Sequence, residues 1–158
     1  MVFAPSSLIL TNYYLPLSEA LYAHGGVMSL AIGFKTSKFD VSKEDENPNN
    51  PIYGQSLLIW LEKEVSDELS FDEPDAEDWG WYSLLEWKGR EYLLGATAYF
   101  EDGDDPTSEL EWVFQVDKHR SFTEKLLGRE KMTETDECLQ YFKSIFENHN
   151  EFNNVTLE

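Results

Sequence analysis

The chain has 158 residues, 41% hydrophobic and 15% aromatic, and its 31 acidic and 12 basic residues give a formal net charge of -19. A length of this order makes one domain that buries roughly two-thirds of its unfolded surface, so no covalent staple is required. The charge argues against binding nucleic-acid backbones or anionic membranes, which draw on clustered Lys and Arg, and favours a basic protein partner steered in by long-range attraction; solubility is the competing account of the acidity.

Residues 1–27 read as an extension packed on the domain, with a weak strand at 7–14 and a short helix at 16–24 that Pro16 opens and Gly25-Gly26 ends. No Lys or Arg precedes Lys35, so the positive start of a secretory leader is missing. No apolar run approaches the roughly 20 residues of a membrane span. The single cysteine, Cys138, fits a reducing compartment, and a cytoplasmic location is expected.

The domain proper is expected at 28–149. Met28, Leu30, Ile32 and Phe34 alternate with smaller or polar residues, the period of a half-buried strand at 28–36. Residues 40–54, with Glu44-Asp45-Glu46 and Asn47-Pro48-Asn49-Asn50-Pro51, have the composition of a mobile surface loop. Leu58, Leu61, Val65 and Leu69 then form one helical stripe, predicting a helix over about 55–69. An acidic connector at 71–78, broken by Pro74, leads to strands at 81–87 and 91–100 joined through Lys88-Gly89-Arg90, where glycine supplies the positive φ of a tight hairpin. After the acidic loop at 101–109, Leu110, Trp112, Phe114 and Val116 mark a further strand to 117. Ser121 and Glu124 make a capping-box pattern that opens a short helix closed by Gly128. A last helix is expected over about 133–148 on a stripe of Cys138, Leu139, Phe142, Ile145 and Phe146, and residues 150–158 read as a tail. The sum is an α+β fold: one mainly antiparallel sheet with helices packed on one face.

Three local constellations invite a functional reading. Asp78-Trp79-Gly80-Trp81 follows Asp72, Glu73, Asp75 and Glu77. It reads either as a recognition edge with Trp anchors ringed by carboxylates or as two rings entering the core at a turn. Lys118, Arg120, Lys125, Arg129 and Lys131 put five of the 12 cations into 14 positions around His119. They read either as an anion site on Lys118, His119, Arg120 and Arg129 at a helix N-terminus or as cations paired internally. The loop Glu101-Asp102-Gly103-Asp104-Asp105 is rich in oxygen ligands but lacks the EF-hand order, so it reads as an acidic hairpin loop and no metal is expected.

Asp78-Trp79-Gly80-Trp81-Tyr82, then Gly89-Arg90-x-Tyr92-Leu93-Leu94-Gly95, then Val116-Asp117-Lys118-His119-Arg120-Ser121 running to Leu127-Gly128-Arg129-x-Lys131-Met132 resemble a group of small bacterial proteins over roughly residues 55–148. The resemblance implies a stand-alone cytoplasmic protein and brings no activity or site residue with it.

Catalytic patterns are missing from the sequence. There is no phosphate-binding or dinucleotide-binding glycine motif, and His24, His119 and His149 form no zinc-type set with Cys138, whose helical phase places it in a core. No catalytic residue and no cofactor is assigned. The expected function is that of a non-catalytic acidic protein that engages a basic protein partner, concretely an inhibitor or immunity-type antagonist of a nucleic-acid-directed effector. Its contact set is Asp72, Glu73, Asp75, Glu77, Asp78, Trp79, Asp102, Asp104 and Asp105. The alternatives are a small enzyme or ligand-binding domain with a pocket near 118–131, and a carbohydrate binder stacking sugars on Trp79, Trp81, Trp87 or Trp112.

Overall fold

The computed structural model describes residues 30–158, so the strand and helix expected within 1–27 lie outside the described residues. Six strands form one antiparallel sheet: β1 (Leu30–Thr36), β2 (Asp75–Glu77), β3 (Gly80–Trp87), β4 (Arg90–Tyr99), β5 (Leu110–Lys118) and β6 (Asn153–Leu157). Their order is β2-β3-β4-β5-β1-β6. Three α-helices accompany them: α1 (Gln55–Glu64), α2 (Phe122–Leu126) and α3 (Glu137–Asn148).

The period-2 pattern decides which face is covered. Across the middle of the sheet Leu94 stands opposite Val116, Ala96 opposite Phe114 and Ala98 opposite Trp112, while Phe114 and Trp112 meet Ile32 and Phe34 on the other side. All these side chains are buried on the face that α1 and α3 cover, through Leu57, Leu58 and Leu61 of α1 and Cys138, Leu139, Phe142 and Phe146 of α3. Aromatic rings fill the seam. Phe34 and Phe146 lie 4.5 Å apart between ring centres, Phe39 meets Trp112 at 5.1 Å, and Phe142 meets Phe114 at 5.2 Å. Such offset and tilted pairs add to burial because each ring's positive edge meets another's negative face.

The β3–β4 hairpin is the tight one its sequence calls for. Trp87 pairs with Arg90, leaving Lys88 and Gly89 as a two-residue loop with φ of 49° and 79°. Two consecutive positive φ values give the turn whose twist matches the flanking strands.

Four expectations are corrected. The stretch at 40–54 is built into the domain by a dense set of bonds. Glu44 accepts from the backbone N–H groups of Gly54, Gln55 and Ser56 and so caps α1, whose own N-cap residue, Gly54, has no side chain to do it. Buried Asn47 donates to the carbonyls of Glu77 and Gly80, while Asn49 and Asn50 donate to those of Ala76 and Asp78. The three asparagines thus clamp the β2–β3 turn. The segment at 150–158, which reads as a tail, carries β6, which pairs with β1. Its weak alternation reflects an edge position with half-buried Val155 and Leu157. The acidic connector contains β2, whose three residues make the other edge; short, charged strands suit an edge because they discourage further pairing. Both long helices are shorter than the ranges expected for them, about 55–69 and 133–148. After α1 ends at Glu64 the chain turns, with Val65 buried and Leu69 half-buried, and α3 starts only at Glu137, where Asp136 caps it.

Candidate interaction surfaces

The antiparallel order sorts charge between the two ends of the sheet. β3 begins where β4 ends, since Trp81 pairs with Ala96, and Thr36 at the end of β1 pairs with Leu110 at the start of β5. The β2–β3 turn, the β4–β5 loop and the 37–54 segment therefore share one end, with Asp78, Glu101, Asp102, Asp104, Asp105 and Glu109. The β3–β4 hairpin and the segment after β5 share the other, with Lys88, Arg90, Lys118, His119, Arg120, Lys125, Arg129 and Lys131.

At the acidic end the turn at Asp78-Trp79 is fixed through its backbone. Besides the asparagine clamp, Thr97 donates to the carbonyl of Trp79 at 2.8 Å. Trp79 and Trp81 part company there. Trp81 is buried on the helix side and donates its indole N–H to the carbonyl of Ile52 at 3.1 Å. Trp79 lies half-buried on the opposite face, directly over Gly95: a Cβ at position 95 would come within 2.7 Å of the Trp79 ring. Close approach of ring to backbone is what demands glycine there. Trp79 is thus the one tryptophan of the pair that keeps a surface.

Seven of the eight candidate carboxylates are exposed: Asp72, Glu73, Asp75, Asp78, Asp102, Asp104 and Asp105; Glu77 is half-buried. None of the eight takes part in a salt bridge among the described residues, where the acidic partners are Asp40, Glu64, Glu124, Glu130, Asp136, Glu137, Glu147 and Glu151. Asp104 and Asp105 do local work as well, accepting from the backbone N–H groups of Glu101 and Thr107. The bond from the Thr107 side chain is the first reason the Asp105 carboxyl lies below its ordinary range. The two acidic runs meet only in part. Asp78 opens on the same end as the 101–109 loop, whereas Asp72 and Glu73 lie farther along the β2 edge, next to Leu84 and Leu85 of β3.

At the basic end several cations are consumed internally. Lys118 reaches the carboxylate of Asp136 at 2.9 Å and that of Glu130 at 3.8 Å. Asp136 is buried, caps α3 by accepting from the N–H groups of Cys138 and Leu139, and also accepts from the Tyr92 hydroxyl at 3.1 Å. Burial alone would raise the Asp136 carboxyl; the bonds from Lys118, the Leu139 amide and Tyr92 outweigh it and hold the group below its ordinary value. Tyr92 is pushed the other way, mainly by burial and then by the Asp136 charge. Arg90 grips Glu124 with both terminal nitrogens, at 2.9 and 3.2 Å, and that bond above all draws Glu124 down to about 2. The expected capping box is present: the Ser121 side chain accepts from Glu124 N–H, and Glu124 accepts from Ser121 N–H. Four cations remain without a carboxylate partner among the described residues: Arg120, Lys125, Arg129 and Lys131. Of the expected anion-site set, Lys118 is already engaged with Asp136 and Glu130, and Arg120 donates to the backbone carbonyl of Arg129.

The remaining chemistry-bearing side chains are spoken for by packing. Cys138 is buried, and burial first, then the Asp136 charge, pushes its thiol up to about 12, which leaves essentially no thiolate at neutral pH. Trp112 and Trp81 are buried, and Trp87 packs on Tyr141 at 5.0 Å, so the tryptophans do not make a common stacking platform. Sequence reasoning missed Glu44, Asn47 and Asp136, although Asp immediately before an apolar helical stripe is the usual N-cap signal. It also missed the exposure of Phe122, Leu126 and Leu127, for which no sequence signal exists. No protein-family model matches the chain, and no curated protein or solved structure matches it.

Among the described residues no helix is long and apolar enough to cross a membrane, and no group of His, Cys, Asp and Glu side chains is arranged to hold a metal ion.

Proposed function

We propose that this is a non-catalytic binding protein of the cytoplasm that engages a basic protein partner through its acidic end and the β2 edge, in the manner of an inhibitor or immunity-type antagonist. The observation that carries the reading is that the eight candidate carboxylates, seven of them exposed, have no cationic partner among the described residues and fall in two short runs at one end and one edge of the sheet. Unpaired like charges held close together repel, and a basic partner relieves that repulsion while the same field speeds its approach. The clamped turn supports the reading in a second way: Asp78 and Trp79 stand on backbone fixed by Asn47, Asn49, Asn50 and Thr97, so they meet a partner with little ordering left to do. Trp79, half-buried beside those carboxylates, is the candidate anchor. Direct binding of nucleic acid is disfavoured on the same charge grounds.

The motifs behind the resemblance to small bacterial proteins have structural uses of this kind. The Asp-Trp-Gly-Trp run makes the clamped turn, and the Lys-His-Arg-Ser run supplies the Asp136 partner and the α2 cap. These uses carry no activity.

The test is kinetic. A partner is recovered from the native cell by affinity capture at low and high salt, and its association is followed by stopped flow. Reversing Asp75, Asp78, Asp104 and Asp105 to Lys is expected to lower the on-rate by about tenfold or more and to flatten its salt dependence, an effect far larger than the loss of the loop bonds to Asp104 and Asp105 has on thermal stability. An unchanged on-rate and salt slope in the reversed protein would remove the acidic surface from the mechanism.

A further inference from the structure

The basic end carries an oddity that neither charge pairing nor core packing explains: α2 is amphipathic the wrong way round. It is fastened to the sheet by polar contacts alone, namely the Arg90–Glu124 ion pair, the bond from Arg90 to the carbonyl of His119, and the capping box, and none of its residues is buried. Its apolar side chains face outward instead. Phe122 is 79% exposed and Leu126 74%, and Leu127, just beyond the helix, is 55% exposed. Among the described residues only Ile59 joins them as an exposed large hydrophobic. Phe122 and Leu126 are four residues apart and so lie on the same face of the helix. Arg120, Lys125, Arg129 and Lys131 surround them in sequence, and none of these has a carboxylate partner among the described residues. The two acids of the segment are already used, Glu124 by Arg90 and Glu130 by Lys118.

We infer that this end is a second docking surface, for a short acidic segment of another protein that carries apolar anchor residues. Exposed apolar side chains rimmed by charge are the usual make-up of a protein-binding patch, with the anchors supplying affinity and the rim supplying choice of partner. The sign of the rim selects an acidic segment. The net charge of -19 does not forbid it. β4, ten residues long, separates this end from the acidic loop by roughly 30 Å, several times the screening length of about 8 Å at physiological salt. In a second copy of this chain the acidic loop at 101–109 contains no large apolar residue to act as anchor, and two copies of charge -19 repel. The surface is distinct from the one in the proposed function and stands or falls without it.

The probe is a short synthetic peptide of Glu and Asp interspersed with Leu and Phe, titrated into isotope-labelled full chain and followed by amide chemical shifts. Saturable shifts confined to residues 119–132 are expected. A peptide with Ser in place of Leu and Phe, and one with Lys in place of the acids, should each bind at least about tenfold more weakly. The double variants Phe122→Ser/Leu126→Ser and Lys125→Glu/Arg129→Glu should lose binding by a similar factor while melting like the parent, because none of the four side chains is buried. Reversal of Asp75, Asp78, Asp104 and Asp105 should leave the peptide's affinity unchanged. Absent binding, shifts elsewhere, or equal affinity for the Ser peptide would overturn the inference. So would binding of anionic phosphatidylserine vesicles in preference to the peptide, which would make the patch a membrane contact, or self-association abolished by the Phe122 variant, which would make it an interface between copies.

Discussion

The two ends of the sheet solve the same problem, closing strands with loops, in opposite ways. At the acidic end the β2–β3 turn is fixed by neutral groups, with Asn47, Asn49, Asn50 and Thr97 donating to backbone carbonyls, and where carboxylates such as Glu44, Asp104 and Asp105 help, they accept from backbone N–H groups. At the basic end the loops are fixed by ions, with Arg90 on Glu124 and Lys118 on buried Asp136, and it is apolar side chains that are left over. Local charge is therefore a poor guide to which charges are available. The end with the larger excess of charge holds itself together mainly by hydrogen bonds, some of them to its own carboxylates, and the end with ion pairs has spent part of its charge on architecture.

The sharpest way to break the comparison is to remove the platform both ends stand on. Phe142→Ala deletes a fully buried ring that packs on Phe114 and Phe71, and should cost about 3–5 kcal/mol in urea unfolding. A loss below about 1 kcal/mol would mean that α3 does not pack on the sheet as described. Next in size is the ionic anchor. Asp136→Ala strands Lys118, whose side chain is only 13% exposed, and removes the α3 cap, for an expected loss of about 3 kcal/mol.

The same anchor has a pH signature. A carboxyl held below its ordinary value in the folded protein contributes stability that is complete above the unfolded value, near 4, and is lost as pH falls through the folded one. Glu124, at about 2, acts in the same direction. Asp117, raised chiefly by burial, opposes them, since its protonation in acid favours the fold. The expected result is a melting temperature that falls as pH drops below about 4, with a shallower fall in Asp136→Asn; parallel curves for the two proteins would take Asp136 out of the account.

A smaller effect probes the neutral end. Glu44→Ala removes the only side chain that caps α1 and should cost about 1–2 kcal/mol by thermal or chemical unfolding. If Glu44→Gln, which keeps the acceptor and drops the charge, retains most of the stability, then hydrogen bonding and not charge secures this end. The smallest effect is expected within the core between the ends. The hydroxyl of Ser83 is buried with no hydrogen-bond partner, so Ser83→Ala should be neutral or stabilising by about 1 kcal/mol. A clear loss of stability would reveal a partner for that hydroxyl.

How much of this was legible in the sequence follows the same division. Strands β1, β3, β4 and β5 were readable because one face of each carries the large side chains of the core, which imprints alternation on Ile32, Phe34, Trp112 and Phe114. The capping box at Ser121 was readable because it is local, its two members three positions apart, and chemically specific. β2 and β6 were not, since an edge strand buries too little to enforce a pattern. Nor was the role of 40–54. Its Asn, Pro and Glu residues have the composition of a loop, and only the fold brings Glu44 to the α1 terminus and Asn47 beneath the β2–β3 turn. The acidic run was visible as a run, but whether each carboxylate is free or paired is a long-range fact. The outward face of α2 lay beyond reach altogether, because the spacing of Phe122 and Leu126 is the same whether that face is packed or exposed.

Strand order also has a consequence for how the chain acquires its shape. β2, β3, β4 and β5 are sequential neighbours, each hairpin closed by a connection that is short in sequence. β1 stands outside that sequence. It comes first among the described strands, yet it lies between β5 and β6 and pairs Ile32 with Phe114 and with Leu157. Contacts between distant parts of a chain form late, since a long loop must be closed before they contribute. The meander has a route to assembly ahead of β1, which would join the open edge of β5 before residues 153–157 can pair with it and complete the sheet. Until then the edge of β5 is an open template for a strand from any other chain, so refolding at high concentration is where this architecture is most exposed to error.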